Sequence, residues 1–287
     1  MKLAYRAAPC LAYRAALCLV FGTVVPAHAA GTDVVISMSS TGSDVDGGPA
    51  ARIDSLTVHF TAGDAWQIWA DVPALAVSGD ARAIGAGAGT FIIQRRNGKG
   101  QDGAVRSRAQ STPGGDAVFG LGDVRVGVAR RIAGGGVSLF RLDALLESKA
   151  PTADESRGLG TGTWDVRGAL GFEYRTWPGT IFGNVGWTRY GTAPDVALED
   201  GPAGRLGFEF EPGPSGRTWW VWGEAAREVV PDSGSRASAG VGVRSATGRW
   251  GLSGSVGFGG SASAWMVTLS HRFGTARTAH RIGDVVR

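Results

Sequence analysis

In the stretch TWDVRGALGFEYR (163–175), apolar and charged residues trade places along the chain. Trp164, Val166, Leu170, Phe172 and Tyr174 share one parity, and Asp165, Arg167, Glu173 and Arg175 share the other. Successive side chains of a strand point to opposite faces, so this segment is a strand with one apolar and one charged face. It is also long. Strands in soluble sheets run about 5–6 residues, whereas a tilted strand needs about 9–11 to cross a bilayer. The pattern returns at 248–258, where Trp250, Leu252, Val256 and Phe258 oppose Arg249, Ser253 and Ser255. In 263–273 the apolar set is Trp265, Val267, Leu269 and Phe273; in 119–132, Val124, Val126 and Val128 oppose Asp123, Arg125 and Arg131.

Extending this pattern predicts strands at 52–60, 65–75, 88–96, 119–132, 135–149, 163–175, 179–190, 203–211, 217–228, 236–246, 248–258 and 263–273. The expected fold is all-β: an antiparallel transmembrane β-barrel of about twelve strands. A soluble β-sandwich also alternates on its inner faces, but it does not require strands of this length. Glycine, 47 of 287 residues, fits either, and argues against helices, where each glycine costs about 1 kcal/mol.

The N-terminus sets the compartment. Lys2, Arg6 and Arg14 precede an apolar run, Ala15 to Val25, which ends in Pro26-Ala27-His28-Ala29. This is the layout of a cleaved secretory signal peptide, assigned to 1–29. Both cysteines, Cys10 and Cys18, lie within it, so the mature chain offers neither a disulfide framework nor a cysteine metal site. The leader takes three basic residues and no acidic one, which lowers the formal charge from +4 to +1. A chain so nearly neutral makes no electrostatic case for nucleic acid. The expected organisation is then 30–51 as a periplasmic extension or plug, 52–273 as the barrel, and 274–287 as a tail.

The connections test that layout. With both termini on the periplasmic side, periplasmic turns are short and outer loops long. The connections at 133–134, 176–178, 212–216 and 247 fall on the periplasmic side, and those at 97–118, 150–162, 191–202 and 229–235 on the outer side. Three do not fit: 76–87 is a long periplasmic link, and 61–64 and 259–262 are short outer turns. Aromatics near the strand ends (Trp164, Tyr174, Trp250, Phe258, Trp265 and Phe273) suit the girdles that such barrels place at the membrane interfaces.

Three stretches carry a resemblance: WQIWADVPALAV (66–77), FGLGDVRVGVARRI (119–132) and LLESKAPTADESRGLGTGTWDVRGALGFEY (145–174). In order and spacing the chain resembles the outer-membrane barrels of the "MetA-pathway of phenol degradation" type, over roughly 50–275. The resemblance implies an envelope barrel that passes or binds small, often hydrophobic, molecules, with no catalytic residues and no cofactor. Its motif positions here are Gly122, Asp123, Lys149, Pro151, Thr152, Gly160, Thr161, Gly162 and Asp165, with structural roles in turns and at strand ends. Barrels of this kind tend to end on an aromatic residue recognised during assembly. Here that residue is Phe273, with His271 two places before it and a tail after it.

The G-L-G-T-G run at 158–162 is not a phosphate loop, because no Lys-Ser/Thr and no helical pattern follow it. It is expected to serve an outer loop, with Pro151 ending the strand before it. His59 and His271 fall on opposite parities, so neither a metal site nor a Ser-His pair can converge on them. Asp143 and Glu147 lie about 13 Å apart on one strand, too far for a glycosidase pair. The charges that share the other parity, Asp123, Arg125, Arg141, Asp143, Glu147, Asp165, Arg167, Glu173 and Arg175, are expected to face the lumen. There they either stiffen a filled barrel or line a selective passage. The expected function is a bacterial outer-membrane barrel that binds or passes small, hydrophobic or aromatic solutes. Its partners are membrane lipid, lipopolysaccharide and, through the last strand, the assembly machinery. No enzyme activity and no metal are expected. The alternative is a structural or adhesive barrel with a plugged lumen and active outer loops.

Overall fold

The computed structural model describes residues 32–45, 51–62, 65–77, 81–86, 89–94, 118–134, 138–176, 179–192, 198–210, 219–227, 235–245, 249–258 and 262–273. The leader and the tail lie outside them. The described strands are β1 (Thr32–Val45), β2 (Ala51–Ala62), β3 (Trp66–Val77), β4 (Ala81–Ala86), β5 (Gly89–Gln94), β6 (Val118–Leu121), β7 (Val124–Gly134), β8 (Phe140–Ala150), β9 (Asp165–Thr176), β10 (Gly179–Arg189), β11 (Gly201–Phe210), β12 (Trp219–Arg227), β13 (Ser235–Arg244), β14 (Trp250–Phe258) and β15 (Ala262–Phe273).

Twelve of them form a closed antiparallel barrel: β1, β2, β3 and β7 to β15. Closure is made by β1, which pairs with β2 along one edge and with β15 along the other. β6 continues the line of β7 along β3, while β4 and β5 pair only with each other.

The count of twelve matches the expectation, but its membership does not. Residues 32–45, expected to be part of an extension or plug, form the closing strand. The strand expected at 88–96 falls outside the wall, in the β4–β5 hairpin. Both errors share a cause. β1 reads TDVVISMSSTGSDV, in which the parity that starts with Val34, Ile36 and Met38 ends in Ser40, Gly42 and Asp44, so the apolar stripe fades halfway along it. GTFIIQ has strong β-propensity, and propensity alone does not say which neighbour a strand will find. Moving the barrel's start to β1 reverses the polarity of the next two strands. The short turn after β2 then falls on the end that holds both termini, and one long connection, from Val77 to Val118, falls on the other. Two of the three misfitting connections thereby vanish.

Following the register around the ring gives every strand an inner and an outer face. Val128, Leu146, Gly168 and Trp187 pair in turn, as do Leu170, Val185 and Gly204, and all lie on the outer parity. Their opposites point inward. Val185, Trp187, Leu206, Leu146 and Val241 are among the most exposed apolar residues, while Asp143, Glu147, Asp165, Arg167 and Glu173 are buried. This inverts the usual arrangement of a soluble protein and leaves a largely apolar exterior, stable where lipid replaces water. Val185, 64 % exposed, sits near the middle of β10. Val185→Arg is expected to cost about 2–4 kcal/mol, read as a lower urea midpoint for unfolding from lipid vesicles. An unchanged midpoint would mean that this face does not meet lipid.

Candidate functional site: a loop clamped into the barrel mouth

The site begins with a register slip. Asp71 pairs with Arg125, and Ala74 pairs with Leu121. Three steps on β3 thus face four on its partner, which is a β-bulge at Gly122-Asp123. A bulge re-aims a side chain. The Gly122 amide donates to the Pro73 carbonyl at 2.8 Å. A β-carbon on Gly122 would stand 2.8 Å from Leu75 Cδ1 and 2.9 Å from Pro73 Cγ, so only glycine fits there. The bulge lets Asp123 turn in and become buried.

Asp123 meets Lys149, at the end of β8, and the loop that follows. Lys149 Nζ lies 3.1 Å from Asp123 and 3.0 Å from Asp165, and it also donates to the Thr161 hydroxyl. Asp123 accepts from the Ala153 amide at 3.1 Å and from the Thr161 amide at 3.3 Å. Asp165 accepts from the Gly191 amide at 3.0 Å, which ties in the next loop on the same side. Thr152 Oγ1 accepts from the Val124 amide at 2.8 Å and donates to the Gly122 carbonyl at 3.2 Å. Lys149 is only 2 % exposed on its side chain, yet its three donors all have acceptors. That is the condition under which a charge can be buried.

The loop itself folds inward. Leu159, 1 % exposed, packs against Leu75, Ile53, Val118 and Ala153. The register puts Leu75, Ile53 and Val118 on the inner face, so Leu159 sits within the barrel mouth. The glycines make this path possible. Gly158 and Gly162 have φ of +75° and +69°, and a β-carbon on Gly160 would stand 2.7 Å from Asp123 Oδ1. Arg157, after a single 3₁₀ turn, donates to the Phe119 carbonyl at 2.9 Å. At the exposed bend the Ser156 hydroxyl donates to Asp154 at 2.5 Å and holds that carboxyl below the usual carboxylate range. The motif residues, expected in turns and at strand ends facing the lumen, converge on one clamp.

The other inward charges fall below the clamp. Arg125 pairs with Asp71, which also accepts from Thr57 at 2.9 Å. Arg141 pairs with Asp143 at 2.8 Å, and Arg175 with Glu173 at 2.8 Å. Arg167 donates to Asn184 at 2.7 Å, and Glu147 lies across from Arg167 in register. All nine charges expected inside lie on the inner face. Asp71, Arg205 and Leu159 were missed. Asp71 had a signal, a lone charge on the inner parity of an aromatic strand; Leu159, in a loop, had none.

Large inward rings lie flat over glycines. The Trp69 indole covers Gly127, Trp220 covers Gly242, and Phe182 covers Gly207. Of the girdle set, Trp164, Tyr174, Trp250 and Trp265 are exposed on the outer face. Phe273 packs with the Val34–Ile36–Leu56 cluster at the closing seam. The side chain of Phe258 lies outside the described residues. His271 lies between Trp250 (4.1 Å, tilted) and Phe273 (4.3 Å, edge-on) on the outside, while His59 stacks with Trp69 on the inside.

The barrel has counterparts among solved structures. The COG4313 outer membrane channel from Pseudomonas putida F1 matches with a TM-score of 0.54 at 11% identity, over 84% of this chain and 95% of that one. The KdgM porin in complex with disordered oligogalacturonate matches with a TM-score of 0.50 at 8% identity, over 83% and 99%. The fold is that of an outer-membrane channel. At such identities the likeness carries the fold alone. No family model matches the chain, and neither does any curated protein.

Proposed function

We propose that the protein is a bacterial outer-membrane channel that binds or passes small hydrophobic or aromatic solutes. In this reading it is a relative of the MetA-pathway type, reaches the envelope by a cleaved leader, and sits among lipid and lipopolysaccharide. The last strand, ending at Phe273, is what the assembly machinery recognises.

The observation that carries the reading is the inversion of the barrel, with a lipid-suited exterior and an interior of charged, hydroxyl and small residues. Here three large rings are laid against the wall over glycines, which supports a bore that they do not fill. The clamped loop supports a restriction at one mouth.

Heat-modifiability comes first: an unboiled sample from outer membranes is expected to run faster in SDS gels than a boiled one. Planar-bilayer recordings and liposome uptake of benzyl alcohol then test the channel. A heat-modifiable barrel that neither conducts nor takes up the alcohol would leave the structural or adhesive alternative. A protein found in the soluble periplasmic fraction would sink both.

A further inference from the structure

Inside the barrel, the ion pairs use up most of the inward carboxylates. Asp71 is held by Arg125, Asp123 and Asp165 by Lys149, Asp143 by Arg141, and Glu173 by Arg175. Arg131 and Arg167 enter none of these pairs, and the Nε of each is buried with no hydrogen-bond partner. Thr188 pairs with Arg167 in register, and its hydroxyl, on a residue 1 % exposed, is likewise buried and unmet. Arg167 reaches along its strand to Asn184, which stands beside Arg205 in register. Arg131 belongs to the same row, through Asp143, Gly171 and Asn184. Glu147 lies across from Arg167, yet the Arg167 Nε donates to no oxygen among the described residues.

Buried donors without acceptors are costly, and each asks for an occupant. These are donors from cations and a hydroxyl, gathered on one arc of the inner wall. We propose that Arg167 and Thr188 bind the carboxylate of a solute just inside the clamped mouth, with Arg131 and Arg205 in a row one tier deeper. A guanidinium matches a carboxylate edge to edge with two parallel hydrogen bonds, which favours this anion over a spherical one. The inference rests on the reading of the interior as a solute passage and narrows its substrate class to small aromatic or apolar acids.

The test uses the full-chain barrel in detergent and two probes of one shape, benzoate and benzamide, titrated calorimetrically. Benzoate is expected to bind and benzamide to bind more weakly. Arg167→Gln is expected to weaken benzoate roughly tenfold, as fits the loss of a hydrogen bond to a charged group, and to leave benzamide unchanged. In bilayers under a potassium chloride gradient, the wild-type reversal potential is expected on the anion side, with Arg167→Gln moving it toward zero. If Arg167→Gln loses heat-modifiability, Arg131→Gln and Thr188→Val replace it. Equal binding of the two probes, or binding of neither, would overturn the site. A barrel that binds benzoate but carries no current sinks the channel reading and leaves the site standing.

Discussion

Lys149→Met is expected to release the 151–164 loop from the barrel mouth. The substitution keeps most of the side chain's length and removes the ammonium with its charge and its donors. It leaves Asp123 and Asp165 buried together without the cation that lies 3.1 and 3.0 Å from them. Removing one partner from a buried ion pair typically costs about 3–5 kcal/mol, because the remaining charge stays buried. The cheapest relief is to let the loop go, since the wall strands are held by backbone ladders and the loop by side chains. Two readouts follow. Trypsin should cut at Arg157, whose anchor to the Phe119 carbonyl depends on the folded loop, and mean conductance should rise. If Arg157 stays resistant and the current is unchanged, Lys149 is not the clamp. Adding Asp123→Asn and Asp165→Asn is expected to recover part of the stability while the loop remains cleavable, because the stranded charges are then gone.

Gly127→Val is expected to narrow the bore. Three atoms of the Trp69 indole, Cζ2, Cε2 and Cη2, occupy the space that a β-carbon on Gly127 would need. Ala129 and Leu145 back the same ring, so it cannot slide along the wall and must swing inward. Overpacking of this kind costs about 1–3 kcal/mol. The larger effect should be a fall in single-channel conductance. Trp69→Ala in the Gly127→Val background should restore the current, because it removes the obstructing ring and leaves the valine. A Gly127→Val barrel with wild-type conductance and stability would show that the indole has another place to go, and that the glycine–ring pairs do not keep the bore clear.

Much of this site was legible before the fold was known, though for different residues to different degrees. The inner charges from Asp123 to Arg175 follow from a two-residue period, and the register places all nine on one face. The period is local, set by the backbone of each strand, so it survives any uncertainty about neighbours. The Lys149, Thr161 and Asp165 motif was visible as a pattern but read as turns and strand ends. Nothing along the chain says that a bulge at Gly122-Asp123 will aim a carboxylate at it from another strand. The buried place of Leu159 was illegible for the same reason, since Leu75, Ile53 and Val118 come from three strands distant in sequence. β1 was missed because an apolar stripe ending in Ser40, Gly42 and Asp44 resembles a polar linker.

By itself the sequence determined that this chain forms long antiparallel strands, apolar on one face and charged or small on the other, because side-chain direction alternates strictly along a strand. It determined the sidedness of nearly every residue. Only the tertiary structure decided which strand closes the ring, which hairpin stays outside it, and that the glycine-rich loop folds in rather than out. Those depend on pairing between distant segments, on one extra residue in the β3–β7 ladder, and on a lysine that is stable in the interior only when two carboxylates and a hydroxyl arrive together.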